Sequence, residues 1–132
     1  MKIISLQHIA IEDPGTFKDF LLADGHELTT IQLDEGENIP SNLDEFDAML
    51  CMGGPMDTFM EDEFNWLVGE KKAIGEYVLN LKKPFLGFCL GCQLLGEVLG
   101  GEVVQSNPPE IGVLDINAVS YTHLTLQTTP YV

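Results

Sequence analysis

The sequence of 132 residues contains no arginine, and its six lysines face 21 acidic residues, so the formal net charge is −15. Binding to nucleic acid needs clustered Lys and Arg against the phosphates, so we expect no nucleic-acid partner. Without Arg, the chain also lacks the usual bidentate clamp for phosphates and carboxylates. We interpret the acidic excess as a solvated surface, with a docking face for a basic partner as the minor alternative.

Long apolar runs and secretory features are also missing. No apolar stretch approaches the roughly 18–20 residues needed to span a membrane, and Met1–Ser5 lacks the apolar core and cleavage site of a signal peptide. The odd set of Cys51, Cys89 and Cys92 predicts free thiols in a reducing compartment. We therefore expect a cytoplasmic protein without a membrane partner. Its length and its 45% of hydrophobic residues predict one domain with a buried core.

What the chain does contain is a cysteine between two glycines. An apolar segment runs into Gly87-Phe88-Cys89-Leu90-Gly91 and continues as an apolar-periodic, helix-like segment to Leu95 and beyond. Glycines two residues either side of a reactive side chain give the spacing of a nucleophile elbow, where a strand turns sharply into a helix. Bulkier residues at Gly87 or Gly91 would collide with the neighbouring strand or helix. A cysteine at a helix N-terminus is favoured as thiolate by the helix dipole and the free N–H groups.

Strand and helix patterns alternate along the chain and predict a parallel α/β sheet with helices on both faces. The predicted strands cover Lys2–Ala10, His26–Leu33, Asp47–Met52, Phe85–Phe88, Glu102–Gln105 and Gly112–Ile116. The predicted helices run from Asp13-Pro14 to near Gly25 with Phe17, Phe20 and Leu21 on one face, over Glu61–Leu81, and from the elbow to about Leu99, where Gly100-Gly101 follows. Because ligands bind beyond the carboxyl ends of such strands, Gly53-Gly54 and Cys89 can converge on one crevice.

Two motifs together carry a resemblance to a known family. Met52-Gly53-Gly54-Pro55-Met56 and Gly87-Phe88-Cys89-Leu90-Gly91-Cys92-Gln93-Leu94-Leu95 closely resemble the class I glutamine amidotransferases, the Cys-nucleophile type that includes the glutaminase domain of GMP synthase. The intervening Phe64-Asn65-Trp66-Leu67 and the helix after it resemble the stand-alone members. The resemblance covers roughly residues 1–118. It implies a flavodoxin-like amidotransferase fold that is incomplete at the C-terminus.

The resemblance also implies a reaction and its residues. The family hydrolyses the side-chain amide of glutamine and supplies ammonia to an acceptor, so glutamine and an unidentified acceptor or synthetase are the implied partners, with no cofactor and no metal. Cys89 matches the nucleophile that forms a γ-glutamyl thioester. The backbone N–H of Leu90 matches one oxyanion donor, and the Gly53-Gly54 loop matches the other, with Gly54 preferred to Gly53. Gln93 matches the residue that helps to hold the glutamine substrate.

The sequence departs from the family at the base of the reaction. The family's nucleophile works with a His and with a Glu two residues after that His, both well downstream of the Cys. His8 and His26 precede Cys89, and we interpret them as ordinary partly buried or surface residues. His123 lies downstream but has no Glu two positions later. We therefore predict little or no turnover by this chain.

The end of the chain differs in composition from the rest. No charged residue follows Asp115, and four of the eight Thr lie within Tyr121–Thr129. Val119–Leu126 resembles a translated sequencing-adapter read-through. We therefore interpret 1–118 as a partial glutamine amidotransferase domain and 119–132 as a non-native tail, with the downstream His and Glu lost. A genuine Thr-rich terminal strand is the alternative.

Two other functions fit part of the pattern. A γ-glutamyl peptide hydrolase would keep the fold and Cys89 and change the leaving group. Cys89-Leu90-Gly91-Cys92 is also a C-x-x-C of the kind found in dithiol redox proteins, although such a protein would require neither Gln93 nor the Gly53-Gly54-Pro55 loop. We expect Cys92 to face the core as a small helix residue and Cys51 to be a buried thiol. A zinc site is not expected, because no further Cys or His stands at ligand spacing.

Overall fold

The computed structural model describes residues 1–105, 107, 108 and 113. Its four strands are all parallel and form one sheet in the order β2-β1-β3-β4. Their bounds are β1 Lys2–Gln7, β2 Glu27–Gln32, β3 Ala48–Cys51 and β4 Phe85–Gly87. The helices that alternate with them are α1 Thr16–Ala23, α2 Trp66–Gly75 and α3 Leu90–Val98. The predicted parallel α/β fold is confirmed, and the order of the strands is that of a flavodoxin-like sheet.

Both faces of the sheet carry apolar side chains. Ile4 and Leu6 of β1 belong to the larger core cluster, which also contains the buried residues of α2 and α3. Ile3 lies in the second cluster, with Leu50 of β3 and with Leu21 of α1 packed against it. Five consecutive residues of β1 are buried, as expected for a central strand of a parallel sheet that is covered on both faces.

The topology places the carboxyl ends of β1 and β3 beside a natural crevice. The chain leaves β1 toward β2 on one side of the sheet, and it later returns to place β3 on the other side of β1. In doubly wound sheets the reversal of strand order opens a crevice at the carboxyl ends of the two neighbouring strands. The residues that follow β1, β3 and β4 therefore meet at one edge of the sheet.

The start of α1 differs from the prediction. Asp13-Pro14 does not open the helix; α1 begins at Thr16, and Gly15 precedes it with a φ of +52°. The Asp13 side chain accepts a hydrogen bond from the Gly15 N–H at 3.0 Å, so it caps a turn and not the helix. Phe17 and Phe20 are 38% and 65% exposed, so of the three predicted apolar residues only Leu21 packs against the core.

The predicted helix over Glu61–Leu81 begins later and ends differently. Residues 61–64 form turns, with the N–H of Phe64 bonded to the carbonyl of Met60. After α2 the chain continues as a π-helical segment, Glu76–Asn80, in which Tyr77 is fully buried and its hydroxyl donates to the Phe46 carbonyl at 3.0 Å. The wider turn preserves the buried position of Tyr77 at the end of the helix.

The C-terminal predictions have mixed outcomes. Gly100, with a φ of +88°, follows the end of α3 as predicted. The strand predicted at Glu102–Gln105 is wrong: these residues lie outside regular structure, since they do not join the ladder of the described sheet. The strand predicted at Gly112–Ile116, apart from Val113, and the tail 119–132 lie outside the described residues. Within the described part of the chain, no helix has the length and apolarity needed to cross a membrane.

Candidate active site

Cys89 lies at a sharp bend between β4 and α3. It is exposed and free, and it occupies the N-cap position of α3 with a φ of +49°. A left-handed φ is uncommon for a residue with a side chain and persists only where the surrounding structure enforces it. The geometry is that of the nucleophile elbow expected from the glycine spacing.

The two flanking glycines are required by close backbone contacts. A Cβ on Gly87 would lie 2.6 Å from the backbone nitrogen of Cys92 in α3, and a Cβ on Gly91 would lie 2.7 Å from the carbonyl carbon of Cys51 in β3. Backbone atoms cannot rotate away as side-chain atoms can, so neither position accepts a larger residue without a shift of the main chain. The strand, the bend and the helix are therefore locked together sterically.

The loop after β3 lies directly against this bend. A Cβ on Gly53 would lie 3.5 Å from the Cβ of Cys89, and one on Gly54 would lie 3.2 Å from Cδ2 of Leu90. In the described part of the chain, the backbone N–H groups of Gly54 and Leu90 have no backbone acceptor. The predicted nucleophile and the two predicted oxyanion donors thus meet at one place, with both donors available.

Gln93 and Cys92 occupy the first turn of α3. Gln93 is half-buried, and it follows Cys89 by four residues, which places both on the same side of the helix. Cys92 is also half-buried and free, so it faces the core less completely than predicted. Burial, followed by the neighbouring Cys89, raises the pKa of the Cys92 thiol. A raised pKa opposes the thiolate chemistry of a C-x-x-C redox pair.

A buried polar network lies behind the loop. His8, directly after β1, is fully buried, so the prediction of an ordinary partly buried or surface residue is wrong. Its Nδ1 donates to the carbonyl oxygen of Gly53 at 2.9 Å, and its Nε2 lies 2.8 Å from Oε1 of Glu70 in α2. The Cys51 thiol donates to the same Glu70 oxygen at 3.3 Å. Trp66 stacks on the His8 ring, with centroids 5.3 Å apart and planes inclined by 17°.

The charges in this network oppose its burial. Burial lowers the pKa of His8, but the hydrogen bond and the charge of Glu70 raise it, with smaller contributions from the Gly53 carbonyl and Glu12, and the net pKa is raised. Burial, and then Glu70, raises the pKa of Cys51 well above its usual range, so the predicted buried thiol is confirmed and stays protonated. The second carboxylate oxygen of Glu70 is buried without a hydrogen-bond partner among the described residues.

The same side chains are of types that can bind metals. His8, Cys51 and Glu70 offer ligand atoms within 4.8 Å of one another, although they are far apart in the sequence. A tetrahedral zinc ion would separate its nitrogen and oxygen ligands by about 3.3 Å, whereas His8 Nε2 and Glu70 Oε1 lie 2.8 Å apart. The contact is a charge-assisted hydrogen bond, and the other His8 nitrogen is occupied by Gly53. These three side chains form a hydrogen-bonded network.

One feature of the sequence could have indicated this network. Leu67, Glu70, Ile74 and Tyr77 recur at helical spacing, and all four are fully buried. A carboxylate within an apolar helical stripe requires a buried partner. The partner, His8, lies 62 residues earlier, so helical periodicity identifies the anomaly but not the residue that resolves it.

Two further features lie around the loop. The half-buried carboxylate of Glu12 rests against Gly53, where it would collide with a Cβ. A pocket of about 390 Å³ opens elsewhere, between the segment after β2 and the outer face of α2, and Trp66 and Lys72 are among its lining residues. None of the predicted site residues lines that pocket.

Comparison with known proteins agrees with this arrangement. The family model described as "Glutamine amidotransferase class-I" matches residues 18–128. The glutamine amidotransferase-like protein YfeJ of Salmonella typhimurium is 32% identical over 115 residues, which cover 85% of this chain and 48% of that protein. A glutamine-hydrolysing GMP synthase subunit of Sulfolobus acidocaldarius is 40% identical over 77 residues, covering 58% of this chain and 38% of that protein.

Solved structures give the same answer. A glutamine amidotransferase from Methylobacillus flagellatus has a TM-score of 0.76 and 32% identity, covering 84% of this chain and 43% of that one. One from Thermotoga maritima has a TM-score of 0.71 and 31% identity, covering 76% of this chain and 43% of that one. The chain therefore spans less than half the length of these relatives. With its parallel sheet, its elbow and the matched family model, the chain belongs to the class I glutamine amidotransferases.

Proposed function

We propose that this chain carries the acyl-transfer half of a glutamine-hydrolysing site, with Cys89 as nucleophile and with the N–H groups of Gly54 and Leu90 as oxyanion donors. The observation that supports this most directly is the meeting of an exposed, conformationally constrained thiol with two available N–H groups. Gln93, one helical turn from Cys89, is suited to contact the substrate. Belonging to the family supports the amide as the bond that is cleaved.

In the proposed mechanism, the Cys89 thiolate attacks the side-chain carbonyl carbon of glutamine. A C–S bond forms, and the carbonyl electrons move to oxygen, where the N–H groups of Gly54 and Leu90 stabilise the developing charge. Collapse of this intermediate breaks the C–N bond and expels ammonia, which requires a proton on the leaving nitrogen. Water then attacks the γ-glutamyl thioester, and the products are glutamate and the free thiol.

The proton transfers limit what this chain can do alone. We propose that the His–Glu pair that serves the nucleophile in relatives is lost from this chain, so acylation is slow and turnover is little or none. One relative carries the name of a GMP synthase component, which supports an ammonia acceptor on a separate synthetase. γ-Glutamyl peptide hydrolysis on the same thiol remains the alternative reaction, because it changes only the leaving amine.

Covalent labelling tests the proposal. A chloroketone analogue of glutamine should alkylate Cys89 with loss of chloride, and excess glutamine should slow the reaction. Peptide mapping should find the adduct on Cys89 alone, and Cys89→Ser should abolish it. Cys92→Ser, which alters the neighbouring thiol three residues away, is the matched control and should be labelled as the unchanged chain is.

Three outcomes would contradict the proposal. They are labelling shared equally with Cys92, absence of protection by glutamine, and a reversible Cys89–Cys92 disulfide with no response to glutamine, as expected for a dithiol redox protein. Ammonia released from free glutamine, compared with amine released from a γ-glutamyl peptide, separates the two hydrolytic reactions. Ammonia release at a rate typical of intact relatives would contradict the predicted loss of the base.

A further inference from the structure

The His8–Glu70 pair requires an explanation that the reaction itself does not supply. Both side chains are fully buried, and neither contacts Cys89 in the described structure. Burying an ionisable pair carries a large desolvation cost, and well-packed apolar residues often serve stability equally well. The pair therefore calls for a role at the group that it touches, which is the carbonyl of Gly53.

The hydrogen-bond pattern fixes the state of the His8 ring. A carbonyl oxygen only accepts, so the Nδ1 that lies 2.9 Å from Gly53 must carry a proton. Nε2 is then directed at Glu70, 2.8 Å away, and Trp66 covers the ring. With one partner at each nitrogen and an aromatic plane stacked on it, the imidazole has one orientation.

This orientation is transmitted through a single peptide unit. The Gly53–Gly54 bond is trans, so the carbonyl of Gly53 and the N–H of Gly54 point in opposite directions. When His8 holds the carbonyl toward the protein interior, the N–H of Gly54 is turned outward, on the side where the loop meets Cys89 and Leu90. Two consecutive glycines would otherwise allow this peptide to rotate and present its carbonyl to the site.

We propose that His8 is a positioning residue that orients the Gly53–Gly54 peptide for oxyanion binding, and that Glu70 in turn fixes His8. This inference rests on the proposed function, because it assigns the oxyanion donor to Gly54. His8 acts through the peptide and does not touch the substrate. A carbonyl turned toward the oxyanion would repel it, so loss of the orientation should affect steps that pass through a tetrahedral intermediate.

Two electrophiles separate this role from a general effect on the thiol. The glutamine chloroketone reacts through attack on a carbonyl, so its rate depends on oxyanion stabilisation. Iodoacetamide alkylates the thiolate by direct displacement of iodide and forms no oxyanion. The ratio of the two labelling rates at Cys89 therefore reports the oxyanion donors, and the iodoacetamide rate alone reports the thiolate.

Asn and Leu at position 8 form a matched pair. They have the same shape, but the Asn amide nitrogen takes the place of Nδ1 and can donate to the Gly53 carbonyl, while Leu cannot. Both are made in a Glu70→Gln background, so that no unpaired carboxylate is left buried. We expect His8→Leu to lower the ratio roughly ten- to hundredfold and His8→Asn to restore most of it. Glu70→Gln alone should change the ratio by no more than about threefold, since neutral His8 still donates from Nδ1.

A stability control accompanies these variants. Tyr77→Phe removes a buried hydrogen bond to the Phe46 carbonyl, so it destabilises the fold without contact with the loop and should leave the ratio unchanged. Equal ratios in the Asn, Leu and unchanged chains would overturn the inference. If the Leu variant does not fold, the Asn variant decides: a retained ratio supports the role, and a tenfold loss with an unchanged iodoacetamide rate overturns it.

The result also distinguishes failure of the inference from failure of the proposed function. If the unchanged chain shows no preference for the chloroketone and no protection by glutamine, the proposed function fails. If that preference is present and does not depend on the donor at position 8, only the role of His8 fails.

Discussion

The elbow around Cys89 and the loop at Gly53-Gly54 meet at the same place but are held there in different ways. The elbow is fixed by steric contact, because Gly87 and Gly91 bring backbone against backbone. The loop is fixed by polar contact, because a buried imidazole from the end of β1 and a carboxylate from α2 hold one of its carbonyls. One half of the site therefore depends on the absence of side chains, and the other depends on two specific ones.

The difference matters for how each half responds to change. Close packing of backbone is stiff, so a substitution in the elbow should disturb the fold itself. A hydrogen bond to a glycine carbonyl restrains only one peptide, so a change behind the loop should disturb chemistry before it disturbs stability. Three substitution experiments sharpen this contrast.

The largest effect is expected for Gly91→Ala. Its Cβ would collide with the Cys51 carbonyl group, and only movement of β3 or α3 could relieve the contact. We expect a loss of about 3 kcal/mol or more in the free energy of unfolding, measured by urea denaturation. Gly96→Ala in the same helix is the control: it has open space around the new methyl and should stabilise the chain by about 0.5–1 kcal/mol. Similar values for both variants would contradict the steric account of the elbow.

An intermediate effect is expected for Gly54→Ala. The new methyl would meet only side-chain atoms, with Met56 Sδ at 3.0 Å, His8 Cβ at 3.1 Å and Leu90 Cδ2 at 3.2 Å. These atoms can yield, so the free energy of unfolding should fall by about 1–2 kcal/mol. Labelling of Cys89 by the glutamine chloroketone should fall by about 10²-fold, because the donor is displaced. A stability loss as large as that of Gly91→Ala, or an unchanged labelling rate, would remove the distinction between the two regions.

The smallest effect is expected from pH acting on His8. Its pKa is raised in the folded chain: burial lowers it, but Glu70 outweighs burial. The protonated ring therefore contributes stability below its ordinary pKa of about 6.5, and this contribution is lost as pH rises through the folded pKa. Cys51 stays protonated in this window, and Glu12 is the other charge that acts on the ring.

The measurement is urea denaturation over a series of pH values, for the unchanged chain and for Glu70→Gln. The unchanged chain should lose stability as pH rises above about 6.5, with each unit of pKa shift worth about 1.4 kcal/mol. In Glu70→Gln burial is no longer opposed by the carboxylate, so this downward slope should vanish or reverse. Identical pH profiles would show that the pair carries no net charge linkage.

How far the sequence predicts the site follows from the same contrast. The elbow could be predicted because its requirement is local: two glycines at fixed spacing from Cys89 indicate a tight bend within five residues. The order of strands and helices was also predictable, since apolar periodicity is a short-range signal. The start of α1 was not, because Gly15 interrupts a helix that Asp13-Pro14 would otherwise open.

The support behind the loop could not be predicted in the same way. His8 and Glu70 are separated by 62 residues, and a single sequence contains no measure of which distant polar residues will meet. Composition even favoured the wrong interpretation, because an isolated histidine near a strand is usually unremarkable. Glu70 within the apolar stripe of α2 was the detectable anomaly, and resolving it required the β1–β3 crevice to be built first.

The stacking of Trp66 on His8 gives the chain an optical readout of its own. Trp66 is the only tryptophan in the sequence, and its ring lies nearly parallel to the imidazole at a centroid distance of 5.3 Å. A protonated imidazole quenches the excited indole far more strongly than a neutral one. Intrinsic fluorescence therefore reports the charge state of the residue that touches the Gly53 carbonyl, with no label attached and no turnover required.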